Sequence, residues 1–208
     1  VWLATPYKAS GNALKLLSST DTYEFNNTGN LEFIPKESKQ VGVIFYPGGR
    51  VEAASYAYFC AAIAIKGYPC IIAVMPLNLA VTKINAADEI INKYTNVEKW
   101  VLAGHSLGGS MAARYAIDHN NKVKGLILLG SYSDVNLVDL DIQISTFIAS
   151  EDTILNSQTF TENYKNLPEK RSLNLIQGGN HSQFGDYGFQ DGDGQPKISL
   201  EEQHKYII

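Results

Sequence analysis

The sequence predicts an α/β protein of one domain, 1–208, built on a mainly parallel central sheet with helices on both faces and an antiparallel hairpin at its N-terminal side. Three observations predict it. Six short, nearly continuous apolar runs, "VGVIFY" (41–46), "CIIAVM" (70–75), "KWVLAG" (99–104), "GLILLG" (125–130), "ISTFIA" (144–149) and "LNLIQG" (173–178), read as strands buried on both faces. Segments long enough for helices separate most of them, and such alternation requires crossover connections and parallel pairing. Ahead of the first run, "TYEFNN" and "LEFIPK" alternate apolar and polar residues across the turn signal "NTGN", as a half-buried hairpin does.

The elements follow in order. "ASGNALKLLSS" suggests a short amphipathic segment before the hairpin. The intervening helices are expected at 52–66, 82–95, 107–119 and 157–166, with a last one at 199–208. The last opens on Ser199 with Glu202 three residues on, a capping box in which each side chain satisfies a free backbone amide. In sheets of this kind, sites form at the carboxyl ends of the strands, so the loops there are where chemistry is sought.

Composition excludes some classes of function. Seventeen basic against 21 acidic residues give a net charge of -4, and no Lys/Arg cluster is able to track a phosphate backbone, so nucleic acid is not an expected partner. The two cysteines, Cys60 and Cys70, lack CxxC spacing and are read as buried thiols rather than zinc ligands. They flank the turn from a helix into a strand, which leaves a disulfide open as the alternative. No apolar run approaches the 18–20 residues of a membrane-spanning helix, so this chain is expected to be soluble. It begins at Val1 rather than at a methionine, and an upstream segment is therefore expected to have been cut away, with a signal and a membrane anchor both left open as its identity. Location is accordingly either cytoplasmic or extracytoplasmic. Oligomeric state is not legible.

"VLAGHSLGGSMAARYA" crowds glycine around one serine where a strand becomes a helix. The pattern G-x-S-x-G, with Gly104, Ser106 and Gly108, fits a sharp turn whose neighbours must be small for the turn to close. Ser106 is thereby lifted clear of the sheet, with the first amides of the helix, from Leu107 on, available to a developing negative charge. A serine hydroxyl is a poor nucleophile, so this reading demands a base and a group that orients it. Of the four histidines, His105 is expected to point away from the serine, while His119 and His204 read as surface residues on helices. His181, in "LIQGGNHSQFG" directly after the last strand, is the candidate base. For the acid, "ASEDTIL" offers Glu151 and Asp152 just beyond the preceding strand, with Asp134, Asp139 and Asp141 read as solvated loop residues. Asp186, Asp191 and Asp193 in "DYGFQDGDGQ" lack the ligand spacing of a calcium loop, and no metal is expected.

From about Tyr23 onward the chain resembles the α/β-hydrolase superfamily, and within it the small, capless dienelactone-hydrolase-like branch. "IFYPGGRVEAASYA", "VMPLNLAV", "GHSLGG" and "GGNHSQFGDYG", agreeing in order and spacing, are similar to one bacterial subgroup. The resemblance implies Asp152 rather than Glu151 as the acid, giving the chain order Ser106, Asp152, His181. It implies that "PGGR" carries one oxyanion-hole amide, at Gly49 with Arg50 the alternative, and that Leu107 carries the other. Dienelactone hydrolases proper use cysteine where this chain has Ser106, so the branch does not fix the substrate. Many relatives insert a helical cap between the sixth and seventh strands; residues 131–143 are too few for one. The expected activity is that of a serine hydrolase needing no cofactor and acting on small or surface-presented esters through an acyl-enzyme. A thioesterase or lactonase using the same three residues, or a non-catalytic binding module, are the alternatives. Arg50, Asn78 and Phe184 are candidate substrate contacts, and Tyr56, Met75, Tyr132 and Tyr187 lie near the same strand ends.

Overall fold

The computed structural model describes residues 5–208. Helix α1 (Gly11–Lys15) opens under Ser10, whose Oγ accepts from the amides of Asn12 and Ala13. The hairpin β1 (Tyr23–Asn27) and β2 (Leu31–Pro35) follows. The remaining strands are β3 (Val41–Tyr46), β4 (Cys70–Ile72), β5 (Lys99–His105), β6 (Val123–Leu129), β7 (Gln143–Ala149) and β8 (Arg171–Ile176). Between and after them come α2 (Ala57–Ile65), α3 (Ala86–Lys93), α4 (Leu107–Asp118), α5 (Ser157–Tyr164) and α6 (Leu200–Ile207). Short 3-10 turns, Ala53–Tyr56 and Ala80–Lys83, fill the starts of two segments expected to be helical.

One sheet runs in the order β1-β2-β4-β3-β5-β6-β7-β8. β1 with β2 and β2 with β4 are antiparallel, and every later pair is parallel. The strand period of two divides its apolar residues between two cores. Ile44, Tyr46, Trp100, Leu102, Leu126 and Leu128 face α3 and α4. Val43, Phe45, Ala103 and Leu129 face α2, with Ile207 of α6 joining the same core. Both faces are therefore covered, which is why the runs were apolar throughout rather than alternating. Residues 130–142, between β6 and β7, contain no helix or strand. Among the described residues no helix is long and apolar enough to cross a membrane.

Two expectations are corrected here. Cys60 and Cys70 form a disulfide, with a Cα–Cα distance of 5.0 Å, because the first half of α2 lies beside the start of β4. Closing a loop of this length restricts the unfolded chain by about 2–3 kcal/mol. The paired substitution Cys60→Ala with Cys70→Ala is expected to lower Tm by about 5–10 °C in thermal unfolding. The second correction concerns His204, which is buried and stacks on Tyr58 instead of facing solvent, and burial pushes its imidazole down to about 3. Its neighbour Gln203 reaches into the loop after β8, so this face of α6 is turned inward. The Ser199–Glu202 capping box forms as expected.

Candidate active site

β5 ends at His105 and α4 begins at Leu107, leaving Ser106 alone to make the turn. It does so in the left-handed region, with φ 51° and ψ -124°. For a residue with a side chain this costs about 1–3 kcal/mol and persists only where the surroundings over-determine it. They do: the Ser106 amide donates to the Leu129 carbonyl at 3.0 Å, and its own carbonyl accepts from Ser131 Oγ at 2.7 Å. The glycines have a steric cause. A Cβ on Gly104 would lie 2.5 Å from the Gly109 amide nitrogen, and one on Gly108 would overlap the carbonyl oxygens of Tyr46 and Pro47.

His181 follows β8, and its Nδ1 stands 2.8 Å from Asp152 Oδ2, both side chains 2% exposed. Asp152 Oδ1 is held by the amides of Ile154 and Leu155 at 2.9 and 2.8 Å, so the carboxylate cannot swing away without leaving two donors unpaired. Glu151, the rival acid, turns outward to Lys197 at 2.9 Å. Asp134 and Asp141 pair with Arg114 and Lys170, and Asp139 is exposed. The His181 ring lies against the elbow: a Cβ on Gly130, next to the Leu129 that binds the Ser106 amide, would sit 3.0 Å from His181 Nδ1. Nε2 of His181 has no hydrogen-bond partner among the described residues, so its bond to Ser106 is not made in this arrangement. Such bonds are often long without substrate and tighten in the reacting complex.

Two buried groups hold the His181 loop that sequence reasoning did not single out for that task. Asp193 Oδ2 accepts from the Ser182 amide at 2.7 Å and from Ser182 Oγ at 2.6 Å, while Oδ1 accepts from the Gly194 amide at 2.8 Å. Gln203, from α6, pairs both ways with the Asn180 backbone at 3.0 and 2.9 Å. Neither has a local sequence signal for this task, because the groups they hold in the His181 loop lie 11 or 23 residues away in the chain.

The loop after β3 carries Gly49, which contacts Leu107: a Cβ there would meet Leu107 Cδ2 at 3.3 Å. Among the described residues the amides of Gly49 and Leu107 donate to no group. Both residues line an open cleft of about 440 Å³ with Tyr7, Arg50, Leu79, Gln190 and Asp191. Arg50, with φ 63°, sits over the Tyr7 ring and donates through Nη2 to the Thr5 carbonyl at 3.0 Å. Asn78 stands behind it, its carbonyl accepting from the Arg50 amide at 2.7 Å, and so positions the cleft wall without lining it. Phe184 is fully buried in the core beneath His105, which corrects its reading as a substrate contact. Met75 and Tyr187 are also buried; Tyr132 is half-buried, its carbonyl accepting from Ser110 Oγ at 2.8 Å. Among the described residues no group of three or more His, Cys, Asp and Glu side chains is arranged to hold a metal ion.

Comparison with known proteins bears on the family and the fold. The sequence profile of the alpha/beta hydrolase family matches residues 42–205, and the chain belongs to that family. Among solved structures it is similar to a predicted CIB-like hydrolase from Thermoplasma acidophilum, at 15% identity and a TM-score of 0.58, over 78% of this chain and 89% of that one. It is also similar to TT1662 from Thermus thermophilus, at 13% identity and a TM-score of 0.61, over 76% and 90% of the two chains. At these identities the likeness concerns the fold. No curated protein sequence shows a significant match.

Proposed function

We propose that the protein is a serine hydrolase acting on carboxylic esters with small or surface-presented acyl groups. The observation that carries this reading is the buried His181–Asp152 pair set against a serine held in a strained turn at the start of α4. Family membership supports a hydrolase; the nucleophile, the triad and the ester are our reading.

In the mechanism, His181 donates a hydrogen bond from its Nδ1–H to Asp152 and keeps that proton, which leaves the lone pair of Nε2 as the base. Rotation of the Ser106 side chain about its Cα–Cβ bond brings Oγ to Nε2. Oγ attacks the ester carbonyl as its proton passes to Nε2, and the amides of Gly49 and Leu107 receive the oxyanion. Collapse expels the alcohol, protonated by Nε2, and leaves Ser106 acylated. Water, deprotonated by the same nitrogen, then attacks the acyl carbonyl and releases the acid. The cleft is open, and among the described residues no helix or strand is inserted between β6 and β7 to cap it, which suits acyl groups that need not be enclosed.

The test is the intact mass after incubation with a fluorophosphonate, beside Ser106→Ala, with the adduct located by peptide mapping. One adduct on Ser106, absent from the variant, is expected. Folded protein that takes up no label would remove the nucleophile reading and favour a non-catalytic binding module.

A further inference from the structure

His105 is a buried histidine that the mechanism above does not use. It is the last residue of β5, directly before Ser106, and its ring centroid lies 4.5 Å from that of His181. Its Nδ1 is 2.8 Å from the hydroxyl of Tyr56, and that hydroxyl accepts from the Gly48 amide at 3.0 Å. Tyr56 comes from the 3-10 turn before α2, is fully buried, and is stacked on Phe45 of β3 at 4.5 Å. One hydroxyl therefore joins the loop after β3, which carries Gly49, to the strand end that carries Ser106.

With both groups neutral, these bonds have one direction in the tautomer of His105 that is protonated on Nε2. Burial raises the Tyr56 phenol, so it keeps its proton, and burial together with the neighbouring His181 lowers the His105 imidazole well below its ordinary range, so His105 is neutral. With its oxygen accepting from Gly48, Tyr56 has one proton to donate and His105 Nδ1 to receive it; His105 then carries its own proton on Nε2. The packing leaves no slack. A Cβ on Gly48 would lie 2.8 Å from His105 Nδ1 and 2.9 Å from the Tyr56 oxygen.

We propose that Tyr56 and His105 are a positioning pair: their hydrogen bond fixes the loop after β3 against the nucleophile turn and so sets the separation of the Gly49 and Leu107 amides. The inference rests on the reading of Ser106 as nucleophile. It predicts a defect in stabilising the oxyanion rather than a loss of folded sites.

The test follows the rate and final extent of labelling by a fluorophosphonate, whose phosphoryl oxygen uses the same two amides, in Tyr56→Phe, His105→Leu and His105→Asn. Asn Oδ1 stands near the place of Nδ1 and accepts from Tyr56. In Tyr56→Phe and His105→Leu the rate is expected to fall about 10- to 100-fold at full final extent, and in His105→Asn to recover about tenfold over His105→Leu. A lower extent at unchanged rate, a wild-type rate in Tyr56→Phe, or Asn no better than Leu would overturn the pairing. Should Tyr56→Phe not fold, the Asn against Leu comparison decides alone. Wild-type protein that takes up no label at all defeats the nucleophile reading itself, a result distinct from any in the variants.

Discussion

Ser106→Ala is expected to lower ester turnover by about 10⁴-fold or more while leaving Tm within about 2 °C of the parent. On the proposed mechanism the loss is large because the triad acts as a unit: without Oγ there is no acyl-enzyme, and His181 and the two amides have only a positioned water to work on. The stability forecast follows from which atoms hold the turn. Ser106 is fixed through its backbone, by its amide on the Leu129 carbonyl and by its carbonyl under Ser131 Oγ, and its hydroxyl holds no hydrogen bond among the described residues. Alanine suffers the same left-handed strain as serine, so nothing in the elbow is lost with the oxygen. Steady-state hydrolysis of p-nitrophenyl acetate beside differential scanning calorimetry measures both halves. Retained turnover would take Ser106 out of the chemistry, and a fall in Tm would mean that its hydroxyl supports the turn.

The parts of this molecule that were legible in its sequence share a physical reason. Strands covered on both faces write themselves as apolar runs, and a one-residue turn between a strand and a helix forces glycines two positions either side of Ser106. Apolarity marks burial rather than strand, however, and there the reading overshoots. The run 70–75 contains only three strand residues, Cys70–Ile72, because Val74 gives its amide to the Asn30 side chain while Ala73 and Met75 continue into the core beside α3. The place of His181 directly after the last strand was readable. Its neighbours were not: Asp193 has the look of a solvent loop residue in "DGDG", Tyr56 that of a pocket residue, and His204 that of a helix surface. Each acquires its role from a segment distant in the chain, and no local pattern encodes such a partner. The disulfide is of the same kind, since two cysteines ten apart pair only if helix and strand return level with one another.

Asp193→Asn carries the largest expected effect on stability. Its carboxylate receives the Ser182 amide and hydroxyl on one oxygen and the Gly194 amide on the other, with the amides of His181 and Thr153 at 3.4 Å beside the second. Every group facing it is a donor. Asparagine replaces one acceptor by an NH₂, which sets donor against donor on whichever side it falls and leaves buried amides unpaired. The cost is about 2–4 kcal/mol, which in a chain of this size lowers Tm by roughly 5–15 °C. Because those donors belong to the segment that aims His181 at Asp152, turnover is expected to fall as well, with the Ser182 amide exchanging faster with solvent than in the parent. Asp191→Asn, exposed in the same loop, is the control for stability and is expected to leave Tm unchanged. Equal Tm values for the two variants would mean that Asp193, like Asp191, is only a solvated turn residue; a drop confined to Asp193→Asn, with faster exchange at Ser182, would make its carboxylate the anchor of the loop that presents the base.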